Sequence, residues 1–216
     1  MSASVLGDLG TDLRAGWQTI AKDRLLVLVT AQATLAATLL LVVLSLVPGM
    51  AAQHLGLGVE DAPFLVLPGG IGFLLGAFLM NRWAARMSRP RWIAVGLTGV
   101  GLSMALIGVL IGDTLQREHQ ASVPTTRWLI LPLILGLGIM LALVVIPART
   151  VLQERPPEPM RGRVIAAQLT LANAAAVVPL LLGGALADQL GIAPVMGLLS
   201  LLAVGAGAIG LRRIQQ

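Results

Sequence analysis

The stretch PARTVLQERPPEPMRGR at residues 147–163 decides the fold of this chain, because it is a proline-broken basic turn between two apolar segments. It contains four arginines and two glutamates. The segment after it closes with GGALADQLG at residues 183–191. Both flanking segments are long enough to cross a bilayer, which takes about 20 apolar residues of helix. Because arginine-rich loops stay on the cytoplasmic side, this turn predicts the orientation of every other segment.

The composition is that of an integral membrane protein. Of the 216 residues, 56% are hydrophobic and 12% are charged, whereas soluble domains carry about 25% charged residues. The basic residues lie in short loops between apolar runs, which indicates membrane topology and disfavours nucleic acid as a partner. The chain has no cysteine, so disulfides and thiolate chemistry are excluded. Both histidines, His54 and His119, fall in predicted outer loops, so we expect no metal, no cofactor and no enzymatic activity.

The apolar runs predict an all-α protein with six transmembrane helices. The domain organisation that follows is an amphipathic juxtamembrane or linker segment at residues 1–24, a transmembrane domain at 25–211 and a cytoplasmic tail at 212–216. The predicted helices run from Leu25 to Val47, Ala62 to Asn81, Trp92 to Gly112, Trp128 to Ala148, Val164 to Ala187 and Ile192 to Leu211.

The distribution of lysine and arginine predicts that both termini are cytoplasmic. Thirteen of these residues fall on the side of the 147–163 turn, and only Arg117 and Arg127 fall on the other side. Such an excess is typical of the cytoplasmic side of a membrane protein. Trp83, Trp92 and Trp128 fall at the predicted interfaces, where aromatic side chains commonly anchor helices.

The first 24 residues predict an amphipathic helix. Apolar residues recur there at helical spacing, at Leu6, Leu9, Leu13, Trp17 and Ile20, with charged residues between them. Such a helix either lies on the membrane surface or packs on the protein's own loops, and the pattern leaves both interpretations open.

Polar side chains inside the apolar segments are candidates for a substrate path. Thr30, Thr34 and Thr38 recur at a spacing of four in the first segment, and Thr170 and Asn173 share a face of the fifth. In one interpretation the threonines line a cavity. In the other, their hydroxyls bond back to the carbonyls four residues earlier. Asn173 is the more informative residue, because a buried amide in lipid needs a partner.

Glycines in the apolar segments predict close helix packing. Gly72 and Gly76 form a small-xxx-small pattern, and Gly183 and Gly184 lie together near the end of the fifth segment. Small residues at this spacing allow two helix backbones to approach closely in a membrane. Gln32 points away from the threonines, so we expect it to bond to a neighbouring helix.

The segment GAFLMNRWAARMSRPR at residues 76–91 resembles the basic loop motif of the major facilitator superfamily of secondary transporters. Arg86 and Arg89 match the motif, while Ala85 and Ser88 stand where aspartate and glycine are expected. The QERP…MRGRV turn and GGALADQLG are similar to the second half of efflux-type members. Residues 8–24 resemble the end of the linker that joins their two halves. The resemblance therefore covers one six-helix half.

This resemblance implies an arrangement as well as a fold. The six helices would form a 3+3 inverted repeat, with substrate moving between two halves near the middle of the bilayer. A cytoplasmic gate would use charge-assisted bonds to helix C-termini. Its candidate residues are Arg82, Arg86, Arg89, Arg161 and Arg163. The second wall of the path would come from another six-helix half or from a second copy of the chain.

The resulting functional prediction is a secondary active transporter, or one half of one, in a bacterial cytoplasmic (inner) membrane. It would export a small hydrophobic or amphipathic compound by alternating access, since the apolar segments carry hydroxyls and amides but no central charge. The alternative is a non-transporting membrane subunit that stabilises a partner membrane protein. The expected partners are the lipid bilayer, a small-molecule substrate and the second half or copy.

Overall fold

The computed structural model describes residues 3–54, 62–116 and 123–214, and over these residues the chain is helical, with no strand. Two single 3₁₀ turns, Ala84–Arg86 and Glu158–Met160, connect some of the helices. The α-helices are α1 (Ala3–Lys22), α2 (Arg24–His54), α3 (Ala62–Trp83), α4 (Arg89–Gln116), α5 (Val123–Glu154), α6 (Arg161–Leu190) and α7 (Ile192–Ile214).

The predicted six-helix, all-α architecture is confirmed, because α2 to α7 are each long and apolar enough to cross a membrane. Several helices are longer than their predicted apolar cores. For example, α4 begins at Arg89 and α5 ends at Glu154. Hydropathy marks only the part of a helix that suits the hydrocarbon layer, whereas the backbone hydrogen bonds continue beyond it.

Three extensive helix pairs organise the bundle: α4 with α7, α3 with α5, and α2 with α6, while α4 also packs along α5. The residues buried between them are mainly aliphatic, and Ile93, Leu97, Met104, Ile107 and Met196 are essentially inaccessible. Dense packing of this kind holds membrane helices together, since lipid removes most of the hydrophobic driving force between them.

The α3–α5 pair is joined at the level of the backbone. A Cβ added to Gly72 would lie 2.0 Å from the carbonyl oxygen of Leu135, and one added to Gly138 would lie 2.0 Å from the oxygen of Gly69. No side chain fits in either place, because neither backbone can move without separating the helices. At Gly76 an added Cβ would lie 2.7 Å from the oxygen of Ile139.

The chain reverses between α6 and α7 at a single residue, Gly191, which has a φ of 89°. Its N–H donates to the oxygen of Ala187 and completes the last turn of α6. Side chains disfavour this backbone region, so glycine suits the position.

α1 packs on the protein itself, against α6, α2 and the Glu158–Met160 turn. Gly16 allows the contact, since a Cβ there would lie 2.3 Å from the carbonyl oxygen of Arg163. Ile20 is buried on the same helix, whereas Trp17 is exposed. α1 therefore packs on the protein, but mainly on the helix α6, whereas the second interpretation named loops; Leu6 and Leu9 lie outside the residues whose side chains are described.

One predicted interface residue is corrected by the structure. Trp92 is only 7% exposed and packs with Met80 and Leu143 inside the bundle, so it is not a lipid-facing anchor. Trp83 is half-buried and Trp128 is exposed. The sequence correctly places Trp92 near the end of a helix. Neighbouring helices nevertheless cover its side chain, because it points into the bundle.

Candidate functional site

A cavity of about 550 Å³ lies between α2, α3, α5 and α6. Its wall is mostly apolar, and residues of α4 and α7 (Ile107 and Met196) close it on the inside. The volume is in the range of ligand pockets, about 300–1,000 Å³. The site therefore has the size and character of a pocket for a small, largely apolar molecule.

The α2 wall of the cavity consists of one helix face. Ala33, Ala37, Leu40 and Leu44 follow one another at spacings of four, three and four, so they share a stripe along the helix. The two alanines leave room in front of the helix that larger side chains would fill. Phe73 of α3 and Leu137 of α5 contribute to the remaining wall.

Three polar side chains reach the cavity wall: Arg149 of α5 and Gln168 and Asn173 of α6. Within the described part of the chain, none of the three has a side-chain hydrogen bond or ion pair. Arg149 is exposed and lies five residues before the end of α5, within the basic 147–163 stretch. The cavity thus has a cationic group near one end and two amides on one wall.

The threonine row does not line this cavity. Thr30, Thr34 and Thr38 are 2%, 7% and 6% exposed, and they lie inside the bundle beside the alanine face. Their proposed place in the substrate path therefore has no support from the cavity geometry. The back-bonding interpretation is also wrong for two of them, because the hydroxyl oxygens of Thr30 and Thr34 have no hydrogen-bond partner.

Gln32, which lies off the threonine row, bonds to a neighbouring helix as expected. Its Nε2 donates to the carbonyl oxygen of Ala206 in α7 at 3.2 Å. Its Oε1 has no partner. A glutamine amide in lipid needs such a bond, so this contact helps to orient α2 against α7.

Of the two polar residues predicted to share a face of α6, only Asn173 reaches the cavity wall. Both residues are exposed, and the Thr170 hydroxyl donates to the carbonyl oxygen of Ala166 at 2.9 Å. Sequence reasoning missed Gln168 and Arg149. Gln168 lies five residues before Asn173 in the same helix, and Arg149 was interpreted only as a topology signal.

The five predicted gate arginines occupy different surroundings. Arg89 forms an ion pair with Glu154, and Arg163 pairs with Asp12 at 2.8 Å. Arg161 lies 3.8 Å from Glu158 in the same turn, Arg86 stacks over the Trp83 ring, and Arg82 is exposed. Arg89 does reach the end of α5, but its acceptor is a carboxylate and not a backbone carbonyl. These pairs are about half exposed, so each contributes about 0–1 kcal/mol.

A fourth ion pair joins the start of α2 to the basic turn. Arg155 Nε lies 2.5 Å from Asp23 Oδ2, while Asp23 Oδ1 accepts from the N–H of Leu25 at 2.9 Å and caps α2. The pKa of the Asp23 carboxyl is lowered from its ordinary value, mainly because the carboxylate accepts a hydrogen bond from Arg155. The Asp23, Arg89 and 149–163 regions thus meet at one end of the bundle, which we call the basic end.

The remaining predicted packing residues differ in their contacts. At Gly183 an added Cβ would lie 2.8 Å from Val42 of α2, so this glycine lies in the α2–α6 contact. At Gly184 nothing lies within 4 Å, so this neighbour makes no close approach. Adjacent glycines point in different directions on a helix, and only one of them faces α2.

Six membrane-capable helices around a small apolar cavity define a polytopic α-helical membrane protein. A model of the Major Facilitator Superfamily matches residues 4–179. The chain therefore belongs to the major facilitator superfamily, a family of membrane transporters, as the basic-loop and turn motifs indicated. Neither the curated proteins nor the solved structures contain a match to this chain.

Proposed function

We propose that this protein is a secondary active transporter, or one half of one, that exports small hydrophobic or amphipathic compounds by alternating access. The observation that carries the proposal is the apolar cavity between α2, α3, α5 and α6, with three polar side chains on its wall that have no partner among the side chains that the structure describes. A few polar groups in an apolar pocket orient a ligand without making the pocket hydrophilic. The proposed location is a bacterial cytoplasmic membrane, with the basic end on the cytoplasmic side.

The second wall of the path would cover α3 and α6. Only 22% of the apolar span is buried in each of these helices, against 50% in α2 and in α4. The exposed side chains of α3 include Phe64, Leu67, Leu74 and Phe78. We propose that a second six-helix half or a second copy of this chain packs there, while lipid covers the rest.

The pairing of helices supports a 3+3 inverted repeat. If α2, α3 and α4 correspond to α5, α6 and α7, then the α3–α5 contact corresponds to the α6–α2 contact. Both pairs are extensive, and α4 packs along its own counterpart α7. Repeats of this kind let one bundle rock against another around a site near the middle of the membrane. In such a motion, the ion pairs of the basic end would close the cytoplasmic side.

The test is flux through proteoliposomes that contain the purified chain and a fluorescent amphipathic probe. We expect flux above that of protein-free liposomes, and we expect Ala37→Phe to abolish it by filling the cavity. Ala31→Phe is the matched control, because Ala31 is an exposed alanine on another face of α2. No flux from a chain shown by mass to be dimeric, or equal flux from both variants, would contradict the proposal.

The mass of the particle in nanodiscs, corrected for lipid, determines which assembly is tested. A dimer of the 22.4 kDa chain would supply both walls. A monomer calls for a separate six-helix half before flux is measured. If a stable complex with such a half carries flux, and Ala37→Phe leaves that flux unchanged, the result would favour the alternative, in which the chain is a non-transporting subunit.

A further inference from the structure

We propose that the cavity takes an amphipathic anion, whose charged group pairs with Arg149 and whose apolar body lies against α2 and α3. The inference rests on the proposed function, because it names the substrate class of the same cavity. It goes beyond that function in assigning the sign of the substrate's charge and the residue that recognises it.

The first observation concerns how the arginines of the basic turn are paired. Arg155 pairs with Asp23, Arg161 with Glu158 and Arg163 with Asp12. Arg149 has no carboxylate partner among residues 10–51, 63–112 and 128–213, whose side chains the structure describes. The other three arginines of the turn thus have carboxylate partners, whereas Arg149, which is exposed, borders the cavity without one.

The second observation is the sign of the charges around the cavity. Arg149 is the one charged side chain among the described residues of its wall, which include no aspartate or glutamate. A cationic ligand would therefore meet one like charge and no counter-charge. A guanidinium beside an apolar surface gains most from an anion that it binds with two parallel hydrogen bonds. The cavity thus favours a carboxylate or phosphate over an ammonium group.

The third observation is the position of the amides. Gln168 and Asn173 both belong to α6, and Asn173 lies more than one turn further from the basic end than Gln168. Each amide has two N–H donors that an oxygen-bearing group can accept. Further from the basic end the wall is aliphatic, with Leu40, Leu44 and Leu137. A ligand with a polar anionic end and an apolar body matches this order along the cavity.

The test is direct binding to the full chain in nanodiscs of zwitterionic phospholipid. The probe is a dansyl-labelled undecanoate, and its comparison is the same dansyl chain ending in a trimethylammonium group. We expect the carboxylate to bind at least tenfold more tightly, and Arg149→Gln to remove that preference. Arg149→Lys should retain part of it, because lysine keeps the charge but loses the planar fork. Arg91→Gln is the matched control, since Arg91 is exposed, as Arg149 is, but does not line the cavity.

Equal affinity for the two probes would overturn the proposal, as would equal effects of Arg149→Gln and Arg91→Gln on carboxylate binding. Should Arg149→Gln fail to fold, the ratio between the two probes on the wild-type chain still decides the question. Nanodiscs containing phosphatidylglycerol then distinguish the sources of the anion. If phosphatidylglycerol competes with the carboxylate probe and this competition is lost in Arg149→Gln, the natural anion is a lipid headgroup. If phosphatidylglycerol does not compete, the natural anion is a free amphiphile.

The binding assay separates this inference from the proposed function. Selective carboxylate binding without flux would contradict transport and leave the anion site standing. Flux with equal affinity for both probes would leave transport standing and remove the anion site.

Discussion

Two faces of α2 meet different surroundings, although they lie side by side on one helix. The face with Thr30, Thr34 and Thr38 is buried in the bundle, whereas the face with Ala33 and Ala37 opens to the cavity. The polar face was the natural candidate for a substrate path, and the structure assigns the cavity to the apolar one. In a membrane bundle, polarity does not by itself mark the side that faces a ligand, because buried polar groups also join helices.

A similar contrast occurs on α3. An added Cβ at Gly72 would collide with the backbone of α5, while one at Gly70, two residues earlier, would meet nothing within 4 Å. Gly70 lies on the cavity wall. The two glycines look equivalent in the sequence, but one is required for packing and the other leaves space. Packed faces and cavity faces can therefore be distinguished by substitution.

The largest effect is expected for Gly72→Leu. The new side chain cannot fit against the Leu135 carbonyl, so the cost should reach or exceed the upper part of the ~1–3 kcal/mol range for overpacking. We expect loss of monodisperse protein in size-exclusion chromatography in detergent. Gly70→Leu should remain folded and instead reduce flux, because it fills the cavity. Equal yields of the two variants would show that the α3–α5 contact is not as close as described.

Asn173→Leu should have the next largest effect. It removes an amide from the cavity wall, which should weaken binding of an oxygen-bearing substrate by roughly tenfold, as a lost hydrogen bond of about 1–1.5 kcal/mol implies. Flux at low substrate concentration measures this. Thr170→Val is the matched control on the same helix, because Thr170 does not line the cavity. A larger loss in the control would contradict a role of Asn173 in binding the substrate.

Thr34→Val tests the polar face of α2. The Thr34 hydroxyl is buried and has no partner, and valine has nearly the same shape without the polar atom. We therefore expect thermal stability in detergent to rise, by up to about 1 kcal/mol, with flux unchanged. Loss of flux at unchanged stability would return the threonine row to the substrate path. Thr98→Val is a useful comparison, since the Thr98 hydroxyl donates to Ala94 at 2.9 Å.

The smallest effect concerns the Asp23–Arg155 pair at the basic end. The pKa of the Asp23 carboxyl is lowered from 3.8, so the pair stabilises the fold above that ordinary pKa, and the contribution is lost as the pH falls through the lowered one. At pH 7, Asp23→Asn should cost less than about 1 kcal/mol, because Arg155 is half exposed and screened by water. Asparagine keeps the cap on α2, so the change isolates the ion pair.

Thermal unfolding of both proteins at pH 7 and near pH 3 checks this expectation. The difference in stability should shrink at the lower pH, where the Asp23 carboxylate begins to take up a proton. A difference that grows as the pH falls would mean that the pKa of Asp23 is raised and that the pair has been misjudged.

Local features account for what the sequence by itself determined. Six helices follow from the length of the apolar runs, and the basic turn and the 76–91 loop carried the family resemblance that the 4–179 match confirmed. Hydropathy and chain breaks depend on neighbouring residues, so they can be read without knowing the packing. The α1 segment was also visible as an amphipathic pattern, although not the surface against which it packs.

Only the tertiary structure decided how each helix is rotated about its axis. The threonine and alanine stripes of α2 lie on adjacent faces, and neither pattern reveals which one faces α5 and α6. That choice depends on where glycines such as Gly72 and Gly183 let the neighbouring helices approach. The same holds for Arg149: all four arginines of the turn look alike in the sequence, but in the structure three of them pair with Asp12, Asp23 and Glu158, and Arg149 borders the cavity. Rotation and pairing arise from contacts between distant segments, so they appear only when the whole bundle is assembled.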